Sequence, residues 1–172
     1  QEAADARKRK LAEEKRKSRL SSKIGAPRTT FEKTLVDVGT FPNDTDEGRK
    51  SWYGVAQNKK NVKQGTAYLE PESAADYKRM NKAFKAEFGR DIKMEGAYRT
   101  KLHNDAVKGV QTSRHKKGTA LDISSKKERQ WMIDNGYKYG WAWHDYKDKK
   151  GNRGTSNHFY HTGKRRKITG IK

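Results

Sequence analysis

The chain has 172 residues, 31% of them hydrophobic and 36% charged, and its 41 lysines and arginines outnumber 21 acidic residues for a formal charge of +20. There is no cysteine, which excludes disulfides, thiolate metal sites and a cysteine nucleophile. No apolar run approaches the ~18 residues that span a membrane. So large a positive charge implies a polyanionic partner, with nucleic acid the first candidate and anionic polymers of a cell wall the second, but no zinc-finger cysteines, RNP-type aromatics or helix-turn-helix accompany it.

Residues 1–23 carry nine basic and four acidic side chains, with only Leu11 and Leu20 as sizeable apolar groups. Such a segment has no stripe to bury and reads as a solvated helix or as disorder. No signal peptide is legible. Residues 24–50 read as a linker punctuated by Gly25, Pro27, Gly39, Pro42, Asn43 and Gly48, within which Phe31, Leu35, Val36 and Val38 suit a short strand or an anchoring segment. This divides the chain into a charged arm and linker, 1–50, and a compact domain with a basic tail, 51–172, beginning near Trp52. Ser73 reads as a helix N-cap with Asp76 at the third position, and Tyr77, Met80, Phe84 and Phe88 follow at helical spacing up to Gly89. Ile92, Met94 and Gly96–Tyr98 suggest a strand, and Thr119–Ile123 a second. A helix capped by Ser124 or Ser125 runs to about Ile133 and closes at Asn135-Gly136. Gly140–Trp143 and His158–His161 read as further strands around a charged loop. The expected fold is α+β, a small antiparallel sheet with flanking helices. Trp131, Trp141 and Trp143 are expected in the core, and the run Lys164–Lys167 to be solvated.

The segment that carries chemistry is Ser113–Asp122, which contains S-x-H-x-x-G-x-A-x-D. His115 and Asp122, seven residues apart, do not share a helix face. They converge if a loop carrying His115 turns at Gly118 into a strand carrying Asp122. Ala120, on the same strand face as Asp122, leaves room beside a metal. Imidazole nitrogen and carboxylate oxygen both suit zinc. A catalytic zinc needs a third protein ligand, and His158 and His161 are both available, with His103 and His144 the remaining histidines.

This pattern resembles the signature of the LAS group of zinc peptidases: D-alanyl-D-alanine carboxypeptidases and dipeptidases, and phage endolysins that cut L-alanyl-D-glutamate bonds. The resemblance runs from about Glu95 to Gly163. Glu95–Thr100 looks like the family's S-G-Y-R-S segment, Tyr139-Gly140-Trp141 its Y-G-F or Y-G-W strand, and His158–Gly163 its H-F-x-Y-x-G. The resemblance implies Zn²⁺ on His115, Asp122 and His158, Arg99 at the substrate and its transition state, and Ser113 at a substrate carboxylate. It departs at Thr155, where the family places the glutamate of E-x-x-H; a threonine is no general base near neutral pH. Three expectations follow: Asp145 or Asp148 supplies the carboxylate; or the register shifts, with His161 on zinc and His158 as base; or the domain is an inactive structural or wall-binding module. The resemblance further implies bacterial peptidoglycan as substrate. The charged arm and the start at Gln1 rather than methionine lead us to expect a piece of a larger particle, such as a phage tail protein whose residues 1–50 meet other virion subunits, with a free endolysin as the nearest variant. Location in the virion or at the cell wall follows from that context, and nucleic acid ranks last as a partner.

Overall fold

In this computed structural model the described residues are 6, 8–12, 29–41, 66–106, 108–147, 150–154 and 156–167. Trp52, Asp148, Thr155 and most of the charged arm lie outside them. Residues 8–12 are helical and exposed, as a segment without an apolar stripe must be.

The segment expected to link arm and domain packs into the domain instead. Helix α1, Thr30–Thr34, is closed by a capping box in which Thr29 and Glu32 satisfy each other's backbone N–H. Strand β1, Val36–Thr40, follows and pairs antiparallel with β2, Thr66–Leu69. Val38 and Phe41 join Ala67 and Leu69 in the main buried cluster. The strand or anchoring segment expected at Val36 and Val38 is this strand; its partner lies beyond residues 42–65, out of reach of local spacing.

Helix α2, Pro71–Phe88, begins earlier than Ser73. Glu70 is its cap, accepting the N–H groups of Glu72 and Ser73, and Pro71 occupies the first turn, where its missing donor costs nothing. Ser73, Tyr77, Met80 and Phe84 bury one face. Each large apolar side chain there contributes about 1.5–3 kcal/mol by leaving water. Gly89 ends the helix at φ 72°.

Segment 92–98 supplies only one isolated bridge, Gly96 to Asp122, rather than a strand. A short helix α3, Lys101–Ala106, and a 3₁₀ turn, Arg114–Lys117, follow. Then come β3 (Ala120–Asp122), α4 (Lys126–Asn135), a second 3₁₀ turn (Gly136–Tyr139), β4 (Trp141–Trp143) and β5 (His158–His161). These strands form an antiparallel sheet in the order β3-β5-β4. One face of this sheet points inward with Leu121, Phe159 and Trp141, which are buried in the main core, while Trp131 and Trp143 pack against it. The other face carries Asp122 and His158, which sit directly opposite each other across β3 and β5. The architecture is the α+β fold that the sequence implies.

Candidate metal centre

Three elements deliver three donor atoms to one point. The 3₁₀ turn carries His115, held because Gly118, at φ 69°, closes the turn with its N–H on the carbonyls of Arg114 and His115. A side chain at Gly118 would place Cβ 2.7 Å from the backbone nitrogen of Glu70, so only glycine fits there. Strand β3 carries Asp122, and β5 carries His158. His115 Nε2, Asp122 Oδ1 and His158 Nδ1 are each 3.2 Å from the other two. Four ligands at ~2.0–2.1 Å around tetrahedral zinc stand roughly 3.3–3.4 Å apart, close to this triangle. His115 Nδ1 lies 2.6 Å from the carbonyl of Ala97, which fixes that nitrogen as the N–H donor and turns the Nε2 lone pair inward. Three electron-pair donors converging in this way match a cation.

The carboxylate is held in its charged form. Burial alone would push the Asp122 carboxyl up, but the close His115 and His158 imidazoles and the Arg99 guanidinium outweigh it and hold it well below the usual range. Arg99 Nη2 donates to Asp122 Oδ2 at 2.6 Å, leaving Oδ1 for the triangle. Gly96 brings the backbone against this carboxylate. Asp122 N–H donates to its carbonyl at 2.9 Å, and a Cβ at Gly96 would lie 2.4 Å from Oδ2.

The triangle opens into a cleft of about 490 Å³, lined among others by Arg99, Ser113, Arg114, His144, Tyr146, Asn157 and His158. Both substrate-facing candidates, Arg99 and Ser113, therefore stand at the site. The Ser113 hydroxyl is free of any capping bond to the turn it opens.

Two candidates are not brought there. His161 is three residues from His158, and along a strand an odd spacing reverses the face. Its Nε2 bonds buried Asp76 Oδ2 at 2.7 Å beneath the sheet, where Asp76 also pairs with Arg79. It is thus neither a ligand nor a base of this triangle. Asp145 turns back on its own loop. Its Oδ1 accepts the N–H of Gly154 at 2.7 Å, and its carboxylate does not line the cleft.

His144 takes a place that composition and motif did not assign. Its N–H donates to the His158 carbonyl at 2.9 Å, continuing the β4–β5 ladder by one residue. The inward-facing Trp141 and Trp143 put His144 on the cleft face, with its ring 5.7 Å from that of His158. Burial, His158 and Arg114 lower its pKa, against a smaller opposing pull from Asp145, so the imidazole is neutral near pH 7. Buried Ser156 clamps both histidines, donating from Oγ to the His144 carbonyl and accepting the His158 N–H. Counting by twos from Ala142, on the face opposite the two tryptophans, would have found this position.

A two-histidine, one-carboxylate donor set with an open side, on the outer face of a small sheet, defines a mononuclear metal site that keeps a position free for water or substrate. A family model for peptidase M15 matches residues 51–162, and the chain belongs to that family. The family is zinc-dependent, and His115, Asp122 and His158 fit zinc in number, type and spacing. A search of curated proteins finds no match. Among solved structures, the LD-carboxypeptidase LdcB, studied for the molecular basis of peptidoglycan recognition, aligns at TM-score 0.48 and 22% identity over 81% of this chain and 72% of its own. A variant of the vancomycin-resistance D,D-pentapeptidase VanY, in complex with Zn(II), aligns at TM-score 0.45 and 18% identity over 77% and 89%. Such a likeness speaks to neither substrate nor mechanism.

Proposed function

We propose that this domain is a zinc peptidase that hydrolyses peptide bonds of bacterial peptidoglycan, of the D,D-carboxypeptidase or L-alanyl-D-glutamate endopeptidase type. The observation that carries the proposal is the triangle of donors 3.2 Å apart at the floor of an open cleft. Zinc held there supplies Lewis-acid chemistry, polarising a carbonyl and making water nucleophilic near neutral pH. The residues do the rest. His144, neutral and on the cleft face, takes the proton of the attacking water and returns one to the leaving amine. Arg99 steadies Asp122 through Nη2 and, lining the cleft, brings a positive charge to developing oxyanion charge. Ser113 offers its hydroxyl to a substrate carboxylate. The exposed basic run Lys164–Lys167 suits an anionic wall. The context we propose is a phage particle, tail-associated, with residues 1–50 against other virion subunits, or a free endolysin.

The test is zinc content by elemental analysis beside mass spectrometry of peptides released from purified peptidoglycan. Wild type should hold about one zinc and release peptides, and His115→Ala should lose both. A second reading rests on Thr155 at the family's glutamate position: a domain that binds zinc and wall but cuts nothing. Zinc retained with no peptide released would select it. Sedimentation with assembled particles supports the virion context, and a wholly soluble distribution the endolysin.

A further inference from the structure

The cleft holds two arginines, and they are not equivalent. Arg99 is committed to Asp122 Oδ2 at 2.6 Å. Arg114 precedes the ligand His115, and its carbonyl is fixed by the N–H groups of Gly118 and Thr119, so its side chain leaves the turn at a set place on the cleft rim. Its guanidinium carbon lies 4.3 Å over the ring of Tyr160, a buried side chain on the same face of β5 as His158. The Tyr160 ring meets His144 edge-on at 5.9 Å, and His144 meets His158 at 5.7 Å. A row of rings thus runs from the guanidinium to the metal ligand. Stacking on an aromatic face restrains a guanidinium while leaving its in-plane N–H donors exposed. Among the described residues no carboxylate pairs with Arg114, and the single acidic residue lining the cleft is the ligand Asp122.

We propose that Arg114 is a specificity-determining residue that binds a carboxylate of the substrate displaced from the scissile bond, so that the cleft takes acidic peptides in preference to amidated ones. This rests on the peptidase reading above. The guanidinium fork accepts a carboxylate through paired N–H donors, whereas a carboxamide carries no charge and offers one oxygen. Arg114 is exposed, and its substitution leaves the triangle and the core untouched.

The experiment uses the zinc-loaded full chain and two synthetic wall-type peptides that differ only in one side-chain carboxylate or carboxamide. Wild type should cut the carboxylate peptide with kcat/KM roughly tenfold higher, through KM, and the preference should shrink as salt rises. Arg114→Gln should erase the preference with zinc content and melting temperature unchanged, and Arg114→Lys should restore part of it. Equal rates on both peptides in wild type, or a preference that survives Arg114→Gln, would overturn the inference while leaving the peptidase reading intact. If wild type cuts neither peptide, the peptidase reading fails instead, and fluorescence anisotropy decides the inference. Tighter binding of the carboxylate peptide, lost in Arg114→Gln, sustains it; equal binding refutes it.

Discussion

Replacing Gly96 by alanine should damage the metal site without damaging the fold. The added Cβ would stand 2.4 Å from Asp122 Oδ2, 3.0 Å from its Cγ and 3.1 Å from its Cβ. Carbon and oxygen do not approach so closely, and the carboxylate must retreat by about 1 Å. Rotation cannot absorb this freely, since Oδ2 accepts from Arg99 and Oδ1 belongs to the donor triangle. A zinc site tolerates displacements of about 0.2 Å. Disturbing the support of a ligand typically costs ~10–100-fold in metal affinity, which is about 1.4–2.7 kcal/mol. Competition against a chromophoric chelator reads the affinity, and a thermal melt of the zinc-free protein reads the fold. Gly118→Ala is the contrasting control. Its Cβ meets the Glu70 backbone nitrogen at 2.7 Å and the Leu35 side chain at 3.1 Å, at a positive φ and away from the donor triangle, so it should lower the melting temperature itself. Unchanged zinc affinity in Gly96→Ala would refute the close approach of segment 95–97 to Asp122.

The two histidines of β5 should part company. His158→Ala should lose zinc with the melt of the metal-free protein little changed, whereas His161→Ala should keep zinc and lose about 1–3 kcal/mol by removing the partner of buried Asp76 Oδ2; the opposite pattern would reverse the face assignment. His144→Ala should retain zinc and lose roughly 10²–10⁴ in kcat/KM, measured on peptides released from the wall. Because His144 titrates below an ordinary histidine, the acid limb of kcat/KM should fall below about pH 6.5. The base works only when neutral, so activity persists down to that limb and is lost beneath it. Zinc content at the same pH separates protonation of His144 from release of the metal.

Much of this domain is legible from local pattern, because its causes are local. Tyr77, Met80 and Phe84 repeat at helical spacing and mark the face that α2 buries. The spacing of His115, Gly118, Ala120 and Asp122 encodes a turn followed by a strand, which is enough to aim two donors at one point. The resemblance extends this to His158 and to the family. Helix starts are harder to see, since Ser73 and Glu70 both offer capping oxygens and only the backbone course decides between them.

What tertiary structure alone decides concerns which side chains share a face and what each carboxylate is already holding. His158 and His161 are equal as residue types, and pairing of β5 with β3 sends one to the cleft and the other to Asp76. Asp145 has suitable chemistry, but its bond to Gly154 closes the loop on itself. His144 has no motif, yet the continued β4–β5 ladder sets it beside a metal ligand. Thus the sequence by itself determined the donor types, the turn that joins the first two donors and the stripes that build the core, since these depend on residues close in the chain. Strand register brings together residues far apart in the chain, and it decided the third donor, the neighbour of that donor and the exclusion of His161.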